Sequence, residues 1–414
     1  MFLSVKPLFQ RLFYSNMFKT QVCKVNTEHF SFEKRTNDEF PEQNAKSVIS
    51  DAADQAAIDT AVKWLQQGEA VGIPTETVYG LAANALDASA VSKIFGAKNR
   101  PQDNPLIVHV SSIDMLKSIL PDNVVPDVYL PVIEQHWPGP LTLILPTSSL
   151  IPTSVTCGHP TVAVRFPSHP VARSLIEACG FPLAAPSANS SGKPSPTLAS
   201  HVYHDLQGRI PMILDGGACN VGVESTVLDG LRNPPAILRP GGLTYESLQH
   251  VRGMEKLQVY KKHFVDTELE AAPTTPGMKY RHYSPEAKVI LIDRLNNQDD
   301  NYDAKFNRVL REQVESVQNT GAVVSKIGIL RTTQKGEEAV WETQSRLSNN
   351  IECVSLQMGR SGHPEEVARG MFRGLRDLDE RNVDLIFVEG ISEEREGMAV
   401  MNRLRKAASV TLEV

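Results

Sequence analysis

EAVGIPTETVYGL (69–81), ASAVSKIFGAKNR (88–100) and PLIVHVSS (105–112) follow one another with almost no spacer. The first and third are short apolar runs broken at Pro, Gly or Ser, as sheet strands feeding loops are. The second has helical spacing and ends on Lys98, Arg100 and Pro101, cations on the negative end of the helix dipole followed by a proline stop. Strand, helix and strand in succession predict an α/β fold. Upstream, Ser50 or Asp51 caps a helix with Ala57, Ile58, Ala61, Val62 and Leu65 on one face and Gly68 as its stop. Downstream, TLILPT (142–147), TVAVRFP (161–167), PLAAPSAN (182–189), IPMILDGG (210–217), ESTVLDG (224–230) and PAILRPGG (235–242) read as further strands.

A second unit follows the stretch EAAPTTPGMKYRHYSPEAK (270–288), in which Pro273, Pro276, Gly277 and Pro285 leave no period. Beyond it KVILIDRL (288–295), SKIGILRT (325–332), IECVSLQM (351–358) and VDLIFVEG (383–390) are strand-like, while 364–380 and 398–409 are helix-like. The alternation predicts a smaller parallel α/β domain of Rossmann-like outline. No G-x-G-x-x-G follows its strands, so a dinucleotide site is not predicted. The expected division is an N-terminal tail (1–47), a first domain (48–252), a Pro-rich linker or lid (253–287) and a C-terminal domain (288–414).

The 414 residues, 41% hydrophobic and 22% charged, suit a two-domain globular protein and exclude fibrous and disordered classes. Forty-two basic and 48 acidic side chains give a net charge of −6, so no global positive field holds a nucleic acid, and any RNA contact is local. Five cysteines without a C-x-x-C pair argue against a disulfide framework and a zinc knuckle. No apolar run approaches the ~18 residues of a membrane helix, so no membrane partner is expected. The first 27 residues hold Lys6, Arg11, Lys19 and Lys24 and no acid before Glu28. That composition resembles an organelle transit peptide, with a floppy terminus as the alternative, and Met17 offers a second start. The expectation is a cytoplasmic protein with a mitochondrial form.

Phosphate-loop, zinc-helix, nucleophile-elbow and kinase motifs are absent. His201 and His204 lack a third ligand nearby and read as surface or capping residues. What remains is a set of hydroxyl-rich strand ends with isolated cations. PTETVYG (74–80) gathers two threonines and a tyrosine in one turn. KNRPQDNPL (98–106) places Lys98, Arg100 and Asn104 together, with His109 on the next strand. PSANSSGKPSPT (186–197) has little side-chain bulk, and backbone nests of this kind cradle anions. Arg165 sits inside an apolar strand and needs a counter-ion, an Asp or Glu of the protein or a ligand carboxylate. Glu224, Ser225, Thr226 and Arg239 end two more strands. Together they describe a phosphate and carboxylate pocket without a nucleophile or general-base dyad.

PTETVYGL, KNRPQDNPL, PSAN, DGG, VESTV and LRPGG, in this order, resemble the YrdC-like family, and PGMKYRHYSP with the extra domain resembles its longer members, the threonylcarbamoyl-AMP synthases. The resemblance implies a large twisted mixed-sheet YrdC-like catalytic domain. It also implies synthesis of L-threonylcarbamoyladenylate from L-threonine, bicarbonate and ATP with release of pyrophosphate. The product would pass to the threonylcarbamoyl-transferase machinery that modifies adenosine next to the tRNA anticodon. L-Threonine would meet Thr77, His109, Arg165 and Ser225. ATP would meet Lys98, Arg100, Asn104, Thr161, Ser187, Asn189, Ser195 and Arg239, with Tyr283 closing over it from the linker. Lys98 and Arg100 would be the catalytic cations, and Mg2+ would enter on the nucleotide. Ala185 departs from the threonine or serine that members often carry there. The alternative reading is an RNA- or single-stranded nucleic-acid-binding YrdC-like module with a weak tRNA contact, and carbamoyl transfer to a hydrogenase-maturation partner would need further regions that this chain lacks.

Overall fold

The structure is a computed structural model that describes residues 18–271, 274–275, 282–293, 302–333, 342–346 and 351–414. The expectations placed on Lys6, Arg11, Met17, Pro273, Pro276, Gly277, Lys279, Tyr280 and Arg281 fall outside these residues. The first domain opens with β1 (Gln21–Lys24), β2 (Phe30–Glu33) and β3 (Lys46–Ile49), then β4 (Val71–Ile73), β5 (Gly80–Asn84) and β6 (Ile107–His109). It continues with β7 (Leu141–Pro146), β8 (Thr161–Arg165), β9 (Leu183–Ala184), β10 (Met212–Asp215), β11 (Thr226–Asp229), β12 (Ala236–Arg239) and β13 (Gln258–Val259). Eleven of these form one mixed sheet in the order β1-β10-β4-β5-β9-β6-β8-β7-β11-β12-β13.

Helices Ala52–Gln66 and Pro170–Cys179 bury Ile58, Leu65, Val171 and Leu175 in a common core. Asp51 caps the first of them, accepting from the backbone N–H groups of Ala53 and Asp54 at 2.9 and 3.0 Å. Helix Ala88–Lys98 places Val91 and Ile94 in a second core, and Asn99 closes it in the left-handed conformation, φ 52°.

The expected tail is folded over its described part. Strand β1 pairs in parallel with β10, β2 and β3 form an antiparallel ribbon, and Val25 and Phe30 are buried. Strands of four residues with mostly exposed side chains carry too few apolar positions to show a period. The first domain also runs past residue 252, because β13 adds an edge strand to its sheet and Tyr260 and Leu269 are buried in its core.

The C-terminal domain has β14 (Lys288–Asp293), β15 (Lys326–Thr333), β16 (Glu342–Arg346), β17 (Glu352–Arg360), β18 (Leu385–Glu389) and β19 (Val410–Glu413), in the order β16-β17-β15-β18-β14-β19. All neighbours are parallel except β16 with β17, as a Rossmann-like outline with one reversed edge requires. Helices Pro364–Glu380 and Gly397–Ala407 cover the face toward the first domain. There Val78 and Val223 enter the C-terminal core, Met398 enters the core of the first domain, and Gly222 at φ 80° meets the backbone of Ala368 and Arg369 with no room for a Cβ.

Candidate active site

The 74–80 turn is built by its own hydroxyls. Thr75 donates to the Val78 carbonyl at 2.6 Å and accepts from the Thr77 and Val78 backbone N–H groups. Backbone bonds then stitch this turn to two other loops: Tyr79 N–H to the Pro196 carbonyl, Ala188 N–H to the Tyr79 carbonyl, and Val221 and Gly222 N–H to the Glu76 and Thr77 carbonyls. The hydroxyl-rich segments, over 100 residues apart in sequence, therefore share one wall.

Ile107 and His109, two apart in β6, face the same side, and His109 lies opposite Arg165 in the register of β6 and β8. The resulting cavity is partly open to solvent. Its lining includes Thr77, Arg100, His109, Arg165, Ser187, Ser225, Arg239 and Tyr283, so eight of the predicted site residues converge. The other five, Lys98, Asn104, Thr161, Asn189 and Ser195, stand behind the wall or beside it.

Lys98 is buried, and its ammonium donates to the carbonyls of Ser187 and of Asn189, the latter at 2.6 Å. It fastens the small-residue loop from behind, and burial, with Arg100 nearby, holds its pKa well below the usual lysine range. Arg100 is held by the carbonyls of Asn104 and Pro105 at 3.0–3.2 Å, and burial lowers it to about 10. Asn104 therefore enters through its backbone. Asn189 donates to the Ser190 and Lys193 carbonyls at 2.9 Å, which fixes the same loop. Thr161 begins β8 opposite Pro146. Arg239 donates to the Ser225 carbonyl at 2.9 Å, and the Ser225 hydroxyl lies 2.7 Å from that of Thr142.

Arg165 finds a counter-ion within the protein, one of the two alternatives that the sequence leaves open. Its guanidinium meets Glu76 at 2.7 Å and donates to the Thr77 hydroxyl at 2.7 Å, all buried. Burial alone would raise the Glu76 pKa, and the Arg165 charge together with hydrogen bonds from Arg165 and from backbone N–H groups lowers it on balance. His109 is driven down to about 3 by burial and then by Arg165, so it is neutral and adds no second cation beside that guanidinium.

Two further residues, Glu224 and His282, complete the wall. Glu224 accepts from the Ser195 hydroxyl at 2.5 Å and from Arg403 of the C-terminal domain at 3.0 Å. His282 lines the cavity with Tyr283, and its backbone N–H bonds to the Lys406 carbonyl. Tyr283 is 1% exposed at φ 66°, with its ring 5.2 Å from that of Phe372. A buried arginine in a strand calls for a nearby acid, and Glu76 is the acid within the 74–80 turn, so that one pairing had a signal. Arg403 had none, since its partner is 179 residues away. His201 accepts from the Thr197 N–H at 3.2 Å and caps locally, as expected.

A family model described as telomere recombination matches residues 63–241, and one described as threonylcarbamoyl-AMP synthase, C-terminal domain, matches residues 243–409. The threonylcarbamoyl-AMP synthase of Schizosaccharomyces pombe is 45% identical over 95% of this chain and 99% of its own length. That of Pyrococcus abyssi is 41% identical over 87% and 96%. The solved structure of P. abyssi Sua5 complexed with L-threonine superposes with a TM-score of 0.74 at 37% identity, covering 95% of this chain and all of that one. With both domains matched and the motif residues gathered around one cavity, the chain belongs to the threonylcarbamoyl-AMP synthase family of enzymes.

Proposed function

We propose that the chain makes L-threonylcarbamoyladenylate from L-threonine, bicarbonate and MgATP and releases pyrophosphate. The observation that carries this is the pairing, in one cavity, of a carboxylate-binding corner with a cationic wall. Thr77, His109, Arg165 and Ser225 form the corner for L-threonine, in line with the L-threonine bound to the P. abyssi relative. Arg165, shared between Glu76 and the substrate carboxylate, fixes the amino acid through two nitrogens of its planar fork. Neutral His109 leaves that charge balance undisturbed.

Arg100 and Arg239 present fixed guanidinium groups to the phosphates. Lys98, Asn189 and Ser195 act through the wall they brace, and Thr161 and Asn104 border it. The threonine amine adds to bicarbonate to give a carbamate with loss of water. The carbamate oxygen then attacks the α-phosphorus, the bond to the β-phosphate oxygen breaks, and pyrophosphate leaves. Positioning and charge neutralisation suffice, without a covalent protein intermediate. Mg2+ belongs to the nucleotide substrate. Glu224 is the one carboxylate residue among the described lining residues, and Ser195 and Arg403 already engage it.

The adenylate passes to a transferase that acts on tRNA. We place the protein in the cytoplasm, with a mitochondrial form through its basic N-terminal segment. No described helix is long and apolar enough to cross a membrane. A nucleic-acid-binding role is not favoured, because the cations lie in the walls of a cavity and the net charge is −6. The test is pyrophosphate release by the purified chain with MgATP and bicarbonate. It is expected to depend on L-threonine, and release without the amino acid overturns the reading.

A further inference from the structure

Arg403 lies on the Gly397–Ala407 helix of the C-terminal domain, yet its side chain is fully buried against the first domain. Nε donates to Glu224, Nη1 donates to the Pro240 carbonyl, and the guanidinium carbon lies 5.9 Å from the centre of the Tyr283 ring. One side chain thus touches the segment that leads into β11 and the segment that leaves β12. Those two segments carry Glu224, Ser225 and Arg239 into the cavity wall.

A second buried arginine shows what a purely cohesive tie looks like. Arg376, on Pro364–Glu380, donates from Nε and Nη2 to the Pro194 carbonyl at 3.0 and 2.6 Å and from Nη1 and Nη2 to Asp205 at 3.2 and 2.9 Å. All three of its nitrogens are satisfied, away from the cavity lining. Arg403 differs on both counts: its acid partner lines the cavity, and its Nη2 is buried without a hydrogen-bond partner.

We propose that Arg403 is a positioning residue of the active site, holding the Glu224 carboxylate against Ser195 and the Pro240 carbonyl beside Arg239, so that the C-terminal domain sets the nucleotide-facing wall. This rests on the functional reading given above. The charged and titratable groups around Glu224 are Arg403, Arg239, His282, Tyr283 and Lys406. Burial pushes the Glu224 carboxyl up, and Arg403 first and Arg239 second bring it down to about 2. Without Arg403 the largest charge that opposes burial is lost, so the Glu224 pKa rises and the carboxylate is no longer anchored against the Ser195 hydroxyl from the C-terminal side.

The test uses the full chain as Arg403→Met, Arg403→Lys and the double variant Arg403→Met/Glu224→Gln. In the pyrophosphate assay, Arg403→Met is expected to raise KM for ATP tenfold or more, to leave KM for L-threonine within twofold, and to move the acid limb of kcat/KM for ATP up by at least one pH unit. Arg403→Lys recovers part of the loss. The double variant is no worse than Arg403→Met, because both changes remove the same contact. A folded Arg403→Met chain with KM for ATP within twofold of the wild type and an unmoved acid limb overturns the proposal. If Arg403→Met fails to fold, the double variant decides, and a wild-type KM for ATP in it overturns the proposal. If the wild type shows no threonine-dependent release, it is the functional reading that fails. An isotope-edited infrared titration of the Glu224 carboxyl then decides the positioning role. A midpoint higher in Arg403→Met than in the wild type, with a shifted carboxylate band, supports it, and an unchanged midpoint and band overturn it.

Discussion

Glu76→Gln isolates the buried ion pair at the amino-acid corner. Glu76 and Arg165 are 2.7 Å apart with side chains 9% and 5% exposed, so the substitution leaves a guanidinium in the interior with no anion at contact distance. Removing one partner of such a pair costs roughly 3–5 kcal/mol. At roughly 1–2 °C per kcal/mol for a chain of this size that melts as one unit, the ligand-free melting temperature should fall by about 3–10 °C. L-Threonine restores an anion to Arg165, so it should raise the melting temperature of Glu76→Gln by more than it raises that of the wild type. Acidification gives an independent reading. The Glu76 pKa is lowered by folding, so its contribution is present above the ordinary carboxylate range near about 4.3 and disappears as the pH falls below it. Wild-type chain should lose this stability in acid, and Glu76→Gln should show no such component. The assay is thermal melting with and without L-threonine between pH 3 and 8. A melting temperature within about 2 °C of the wild type, or an equal response to L-threonine, would refute the reasoning.

Lys98→Ala and Arg100→Ala should each lower kcat/KM by roughly 2–4 kcal/mol of transition-state stabilisation. Steady-state pyrophosphate release checks both, and both variants should also lower the melting temperature, because each removes charged bonds to loop carbonyls. Gly222→Ala would bring a Cβ to 2.4 Å from the Arg369 Cα at φ 80°, which should cost roughly 1–3 kcal/mol for crowding and about as much again for strain. Denaturant unfolding measures that loss, and a neutral result removes Gly222 as a point of close approach. Arg376→Met should destabilise by roughly 3–5 kcal/mol because buried Asp205 loses its guanidinium partner and keeps only the Ser190 N–H at 2.9 Å and His204 at 3.2 Å, and adding Asp205→Asn should recover part of it in the same measurement.

The strands that frame the cavity were legible because their apolar runs end abruptly at Pro, Gly or Asp, and β6, β8, β11 and β12 fall where those runs lie. Strands β1 and β19 escaped because they are short and largely exposed, so solvent-facing side chains hide their period. The cationic residues of the site were visible as charges misplaced in apolar or small-residue surroundings, as Arg165 shows. What those cations bond to was not visible. The partner of Lys98 is main-chain oxygen, which every residue possesses and no residue advertises. In MAVMNRLRKAAS, Arg403 sits with Arg405 and Lys406 and no spacing sets it apart from them, yet Arg403 is fully buried while the Arg405 side chain is 45% exposed. The difference comes from the docking of two domains, which local spacing does not encode.

Val78 and Val223 complete the apolar interior of the C-terminal domain, and Met398 completes that of the first. Each half therefore borrows side chains that only the other can present. Calorimetry should accordingly register a single heat-absorption peak for the whole chain, and severing the connection near residue 272 should leave two pieces that remain associated until they melt together.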